Sequence, residues 1–233
     1  MKDPITPVFA RLNHKLDRII PGIRYISLWI LFALLMVIFP FVKGDLGAFI
    51  FTILFSLILI SSALTASGHK GVRAVGLTLM VVALVARWGF FLFGGDLLND
   101  ISYLFGTLAL ALVSLLLFLA LFQTKEVSSN TIWQAISVYL LLGLAWACFY
   151  AFMEGLTPGS FKDSIYPDVA LTFPTLIYFS FVTLATLGYG DILPTTQEAR
   201  GLIIIEVLMG VLYMAILISR LVGTWHPGED KKD

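Results

Sequence analysis

Six apolar runs leave this chain few folds to choose from. They cover about 25–42, 46–66, 72–93, 101–122, 132–153 and 202–222, and each is near the ~20 residues a helix needs to cross a bilayer. Turn chemistry separates them: Lys43-Gly44-Asp45, Ser67-Gly68-His69-Lys70-Gly71, Gly94-Gly95-Asp96, and Lys125 to Asn130. A seventh run, about 173–185, is too short to span and reads as a re-entrant helix. Thr172 followed by Pro174 gives it a start, since proline is tolerated in a first helical turn. The residues are 59% hydrophobic and 13% charged, against about 25% charged in an ordinary soluble domain. Most of the chain is therefore expected in a non-aqueous solvent, as an all-α integral membrane protein with six transmembrane helices.

Charge placement orients the spans. One side collects eleven cations, Lys2, Arg11, Lys15, Arg18, Arg24, Lys70, Arg73, Lys125, Arg220, Lys231 and Lys232, and the other only Lys43, Lys162 and Arg200. By the positive-inside rule both termini are cytoplasmic, and the loop after the re-entrant helix opens outward. Residues 2–23 carry Val8, Phe9, Leu12, Leu16, Ile19 and Ile20 near helical spacing, with Arg11, Lys15 and Arg18 on other faces. That pattern suits a helix lying in the interface, in contact with membrane lipid. No cleavable signal peptide is expected. Net charge is zero, and no nucleic-acid partner is expected. The single cysteine, Cys148, lies in an apolar run and reads as an inert small side chain.

One stretch does not fit a bundle of plain helices: Thr183-Leu184-Ala185-Thr186-Leu187-Gly188-Tyr189-Gly190-Asp191. Glycines at alternate positions, Gly188 and Gly190, let the backbone visit φ > 0 without a Cβ clash. A backbone that alternates in handedness can point successive carbonyls the same way. Carbonyls facing a shared axis form stacked oxygen rings that replace the water around a bare cation.

Thr-x-x-Thr-x-Gly-Tyr-Gly-Asp resembles the signature of the potassium-channel pore family, and the resemblance extends over about 132–223. It implies that the carbonyls of Thr186, Leu187, Gly188 and Tyr189, with the Thr186 hydroxyl, hold K⁺, the permeant ion, within a filter running from Thr186 to Gly190. It also implies a homotetramer around a central pore, since one chain supplies one strand of the ring. The re-entrant helix would aim the negative end of its dipole at the cation. Tyr178 and Phe179 fall where the family carries aromatics bracing the filter tyrosine, and Thr183 and Asp191 flank the filter as further support. Val182 stands where some relatives place a carboxylate bonded to the residue matching Asp191, and Leu187 replaces the more frequent valine. Gly210 matches the proposed gating hinge, an assignment that competes with close helix packing at a small residue. Glu206, one turn earlier in an apolar span, is expected to face protein or the aqueous cavity because a bare carboxylate there is costly. With Gly210 it is a gating candidate. Arg220 is expected to snorkel to the headgroups.

The first four spans resemble the sensor half of six-span channels in number and layout only. A sensor needs several cations in its fourth span, each worth about 2.3 kcal/mol per 100 mV, and 101–122 holds no Lys or Arg. Steep voltage dependence is not expected. Arg87 stands alone in the third span, with Asp96 and Asp100 as possible partners.

The expected organisation is a cytoplasmic or interfacial segment 1–24, a four-helix sensor-like domain 25–123, a pore domain 131–223 and a cytoplasmic tail 224–233. Neither an organic cofactor nor a small-molecule ligand domain is expected in the chain. Short tails and the lack of glycosylation sequons point to a prokaryotic inner membrane. Three rivals remain: a weakly selective monovalent cation channel, a potassium transporter subunit, and a non-conducting scaffold or regulatory subunit. Transporters of that type carry four diverged loops in one long chain. An enzyme is not expected, because the polar segments hold no Ser/His/Asp set, metal cluster or phosphate loop.

Overall fold

In a computed structural model the described residues are 23–38, 44–65, 70–123 and 129–223. The expectations for the interfacial segment and the cytoplasmic tail lie outside them. The elements are α1 (Ile23–Ile38), α2 (Gly44–Thr65), α3 (Lys70–Phe93), α4 (Asp96–Gln123) and α5 (Ser129–Leu156), followed by β1 (Phe161–Asp163), α6 (Phe173–Leu184), β2 (Ile192–Pro194) and α7 (Gln197–Gly223).

Among the described residues five helices, α2, α3, α4, α5 and α7, are long and apolar enough to cross a membrane. The expected first span, 25–42, is described only as α1, whose 16 residues fall short of that length. The short run materialises as α6, 12 residues with Thr172 in an extended conformation at its N-cap and proline in its first turn.

Sequential helices pack on one another, α6 and α7 running in the same direction, and α1 and α2 reach across to α5 and α4. Only five residues separate α4 from α5, at most ~18 Å of extended chain, and within the chain these two helices pack side by side. Aromatic rings join the two halves. Trp29 meets Trp133 edge-on at 4.8 Å, Phe32 meets Phe181 at 5.2 Å, and Phe173 at the start of α6 stacks on Tyr103 at 4.9 Å. Phe51 and Phe55 close around that same Phe173 ring. Offset and edge-on pairs of this kind add about 0.5–1.5 kcal/mol beyond the area they bury.

The helix α7 is the least buried of the five, with α3 next at 22% of its most apolar window. It packs on α6, α5 and β2, yet only 17% of its most apolar window is buried. Ile204, Ile205, Leu208, Val211 and Leu212 all stand exposed in the single chain.

Arg87 does not pair with Asp96 or Asp100. Its Nε donates to Thr52 Oγ1 at 3.3 Å and a terminal nitrogen to Asn99 Oδ1 at 3.5 Å, and its guanidinium lies 4.7 Å from the centre of the Phe51 ring. Asp100 instead lies against Gly155 of α5, where a Cβ would collide with its carboxylate. Arg220 donates to the Phe122 carbonyl at 3.0 Å and to that of Leu121 at 3.5 Å. Those carbonyls are left over at the end of α4, and a cation there also meets the negative end of the helix dipole.

Candidate functional site

The stretch after α6 takes the alternating conformation that its glycines permit. Thr186 has φ 59°, Gly188 53° and Gly190 78°, while Leu187 and Tyr189 between them stay at negative φ. Thr186 is the unexpected member, because a β-branched residue at positive φ is strained. Two hydrogen bonds over-determine it: its N–H donates to the Thr183 carbonyl at 2.9 Å, and the Leu187 N–H donates to the Val182 carbonyl at 2.9 Å. Backbone strain held in place by such bonds is typical of ligand clamps.

Among the described residues no donor reaches the carbonyls of Thr186, Leu187, Gly188 or Tyr189. Residues 185–190 are all exposed in the single chain, Tyr189 by 67% and Leu187 by 56%. Four carbonyls in a row without donors, on a segment flanked by membrane helices, require partners from outside the chain. Below them opens a recess of about 610 Å³, lined by Tyr139, Ala185, Thr186, Gly210 and Met214 among others.

The outer end of this segment is bracketed by polar groups. Tyr178 donates its hydroxyl to Asp191 Oδ2 at 2.6 Å, and this bond is the first cause holding the Tyr178 hydroxyl up at about 12. Ser164 donates its N–H to the Asp191 carbonyl at 2.7 Å, and its hydroxyl lies 2.8 Å from that oxygen and 3.1 Å from the Gly190 carbonyl. Antiparallel pairing of β1 with β2, Asp163 opposite Ile192, fixes the chain directly beyond. Glu154 anchors the loop by accepting from the N–H groups of Gly159 at 2.6 Å and Phe161 at 3.1 Å.

Behind α6 the contacts are buried. Phe179 does not lie on Tyr189 within the chain; it packs against Tyr150 and Phe161, with ring centres 5.4 and 5.5 Å away. Thr183 is buried. Glu206 is fully buried and faces protein, where it accepts from the Tyr150 hydroxyl and lies 2.6 Å from Ser180 Oγ through its other oxygen. One turn further along both helices, Gly210 lies on the Leu184 carbonyl, and a Cβ there would fall well inside van der Waals contact. Glu206 with Ser180, and Gly210 with Leu184, are therefore successive rungs between α7 and α6. Phe181 seats α6 on α5 in the same way, over Gly143, where a Cβ would overlap its ring.

Sequence reasoning did not single out Ser180, Tyr150 or Ser164. Ser180 did leave a signal: it is a hydroxyl set between Phe179 and Phe181 in a short, mostly apolar helix, and Glu206 is a carboxylate within the apolar run 202–219 of another. Isolated polar groups at membrane depth must find one another or water.

Residues 136–224 match a family described as an ion channel. The chain is 36% identical to Two-pore potassium channel 4 of Arabidopsis thaliana over 86 residues, 37% of this chain and 26% of that protein. It is 28% identical to Protein LctB of Bacillus caldotenax over 107 residues, 44% of this chain and 78% of that protein. It is 26% identical to Voltage-gated potassium channel Kch of Escherichia coli (strain K12) over 150 residues, 64% of this chain and 32% of that protein. The chain thus spans about a quarter of the length of the first of these relatives. No solved structure matches it.

Proposed function

We propose, from the premise that this chain is a member of the potassium-channel superfamily, that a tetramer of it conducts K⁺ passively down its electrochemical gradient. The observation that carries this reading is the run of four donor-free carbonyls on a backbone of alternating handedness, from Thr186 to Tyr189. Four copies around an axis would stack these oxygens, with the Thr186 hydroxyl, into rings that replace the ion's hydration shell, and ions would move between rings by mutual repulsion. The exposed apolar flank of α7 supports the tetramer, because in a symmetric assembly neighbouring copies would cover it. The recess under Thr186 is one quarter of an aqueous cavity in this arrangement.

Conduction is not steeply voltage-dependent in this reading, because α4 carries no Lys or Arg. In this reading both termini are cytoplasmic and the filter opens outward. Reversal potentials of the purified protein in a bilayer, under opposed K⁺ and Na⁺ gradients, test the central claim. A reversal following the K⁺ equilibrium potential supports it. A value midway between the two ions indicates the weakly selective cation channel, and absence of current indicates a scaffold.

A further inference from the structure

Glu206 has two oxygens, each with one partner: Tyr150 donates to Oε2, and Ser180 Oγ lies 2.6 Å from Oε1. The same Ser180 oxygen lies 2.8 Å from the Gly143 carbonyl. A serine hydroxyl brings one proton and a backbone carbonyl none, so Ser180 cannot donate to both. Were Glu206 ionised, one of these two short oxygen–oxygen contacts would be two lone pairs facing each other with no proton between. A proton on Glu206 removes the conflict. Oε1–H then donates to Ser180, Ser180 donates to the Gly143 carbonyl, and Oε2 accepts from Tyr150, so every group is satisfied.

The surroundings agree. Glu206 is 0% exposed and Ser180 is 0% exposed. The titratable groups facing Glu206 are Tyr150 and Tyr139, both from α5. From α6 comes only the Ser180 hydroxyl, and no Lys, Arg or His among the described residues pairs with the carboxyl. A buried carboxylate without a cation carries a large desolvation cost, which a neutral acid avoids.

We infer that Glu206 is held as a neutral carboxylic acid, and that the donor chain Glu206–Ser180–Gly143, with Tyr150 on the other oxygen, is a latch positioning the helix that carries the filter. Three elements meet in it, α7, α6 and α5. Its place is one turn before Leu184, where Gly210 makes the next rung and the filter begins two residues later. As a positioning role this rests on the conduction proposed above; the protonation itself does not.

The test has two readouts. Infrared spectra of the reconstituted wild-type protein are expected to contain a protonated-carboxyl C=O band that shifts in D₂O and is missing from E206Q. S180A, which removes the acceptor, is expected to move that band. K⁺ flux is expected to fall about tenfold in E206A, the factor equivalent to about 1.4 kcal/mol. It is expected to return to within about twofold of wild type in E206Q, whose amide reproduces one donor and one acceptor. Absence of the band, or an E206Q variant as impaired as E206A, overturns the inference. Wild-type protein that passes no K⁺ but shows the band defeats the conduction reading and leaves the neutral acid standing.

Discussion

Among the described residues each half of the molecule buries one side chain of the Asp, Glu, Lys and Arg set, and the two are treated in opposite ways. In the pore unit Glu206 is surrounded by hydroxyls from α5 and α6. In the sensor-like half Arg87, 5% exposed, is surrounded by rings: Phe51 at 4.7 Å, Phe90 at 5.6 Å and Tyr103 at 6.0 Å, with Thr52 and Asn99 taking its N–H groups. The chemistry of the groups accounts for the difference. A carboxyl can shed its charge by taking a proton, after which it needs one donor and one acceptor. An arginine cannot be deprotonated in a protein, so its site must accommodate a permanent cation, and aromatic faces do this without a counter-ion. The pore half is thus held by directional bonds between helices. The other half leans on shape, and most of its hydroxyls bond back within their own helix, as Thr52 does to Ala48 and Ser114 to Leu110.

The largest expected effect comes from placing the permanent cation in the acid's site. Glu206→Arg cannot be neutralised by a proton, and an unpaired charge buried there is expected to cost about 3–5 kcal/mol. Size-exclusion chromatography in detergent should show no assembled species. Normal assembly would mean that the site reaches water, and the contrast between the two halves would break. Next in size is Gly210→Ala, whose Cβ would be forced onto the Leu184 carbonyl. Overpacking of this kind costs about 1–3 kcal/mol. Both a lowered melting temperature and reduced K⁺ flux are expected, since the displaced carbonyl ends the helix that supports the filter. If flux changes while the melting temperature does not, Gly210 serves as a hinge rather than as a packing surface.

A smaller loss is expected on the other side. Arg87→Gln removes the cation from its rings, worth about 2 kcal/mol for a desolvated site, and should lower the melting temperature while leaving the K⁺/Na⁺ reversal potential unchanged. A shifted reversal potential would sharpen the comparison differently. It would mean that the Phe51 and Tyr103 rings, which touch both Arg87 and Phe173, carry strain from the cation to the start of α6.

What could be read in advance follows the same division. Apolar length locates the helices, α6 included, because burial in lipid is a property of each segment alone. The positive φ at Gly188 and Gly190 is legible because glycines at alternate positions specify a backbone, and backbone is local. Partners are not local. Tyr150 and Glu206 are 56 positions apart, and nothing near Glu206 in sequence says that the hydroxyl it meets is on another helix. Charge makes Asp96 and Asp100 possible partners of Arg87, but the rings of Phe51, Phe90 and Tyr103, the Thr52 hydroxyl and the Asn99 amide surround it instead. Strands β1 and β2 are three residues each, too short to leave a periodic pattern, and the positive φ of Thr186 follows from bonds to α6 that its own residue type argues against.

The smallest expected effect is the response to voltage. Gating steepness depends on charge that moves through the field, about 2.3 kcal/mol per charge per 100 mV. The α4 helix has no Lys or Arg to move, and Arg87 is fixed to α2 and α4 by Thr52, Asn99 and three rings. Conductance through a reconstituted bilayer should therefore vary little with potential beyond what the ion gradient itself imposes, and Arg87→Gln should leave that curve where it was. A steep curve that flattens in Arg87→Gln would show the cation leaving its aromatic site, making the sensor-like half a working sensor with one charge per chain. A steep curve unaffected by that substitution would instead assign the voltage dependence to ions entering the filter.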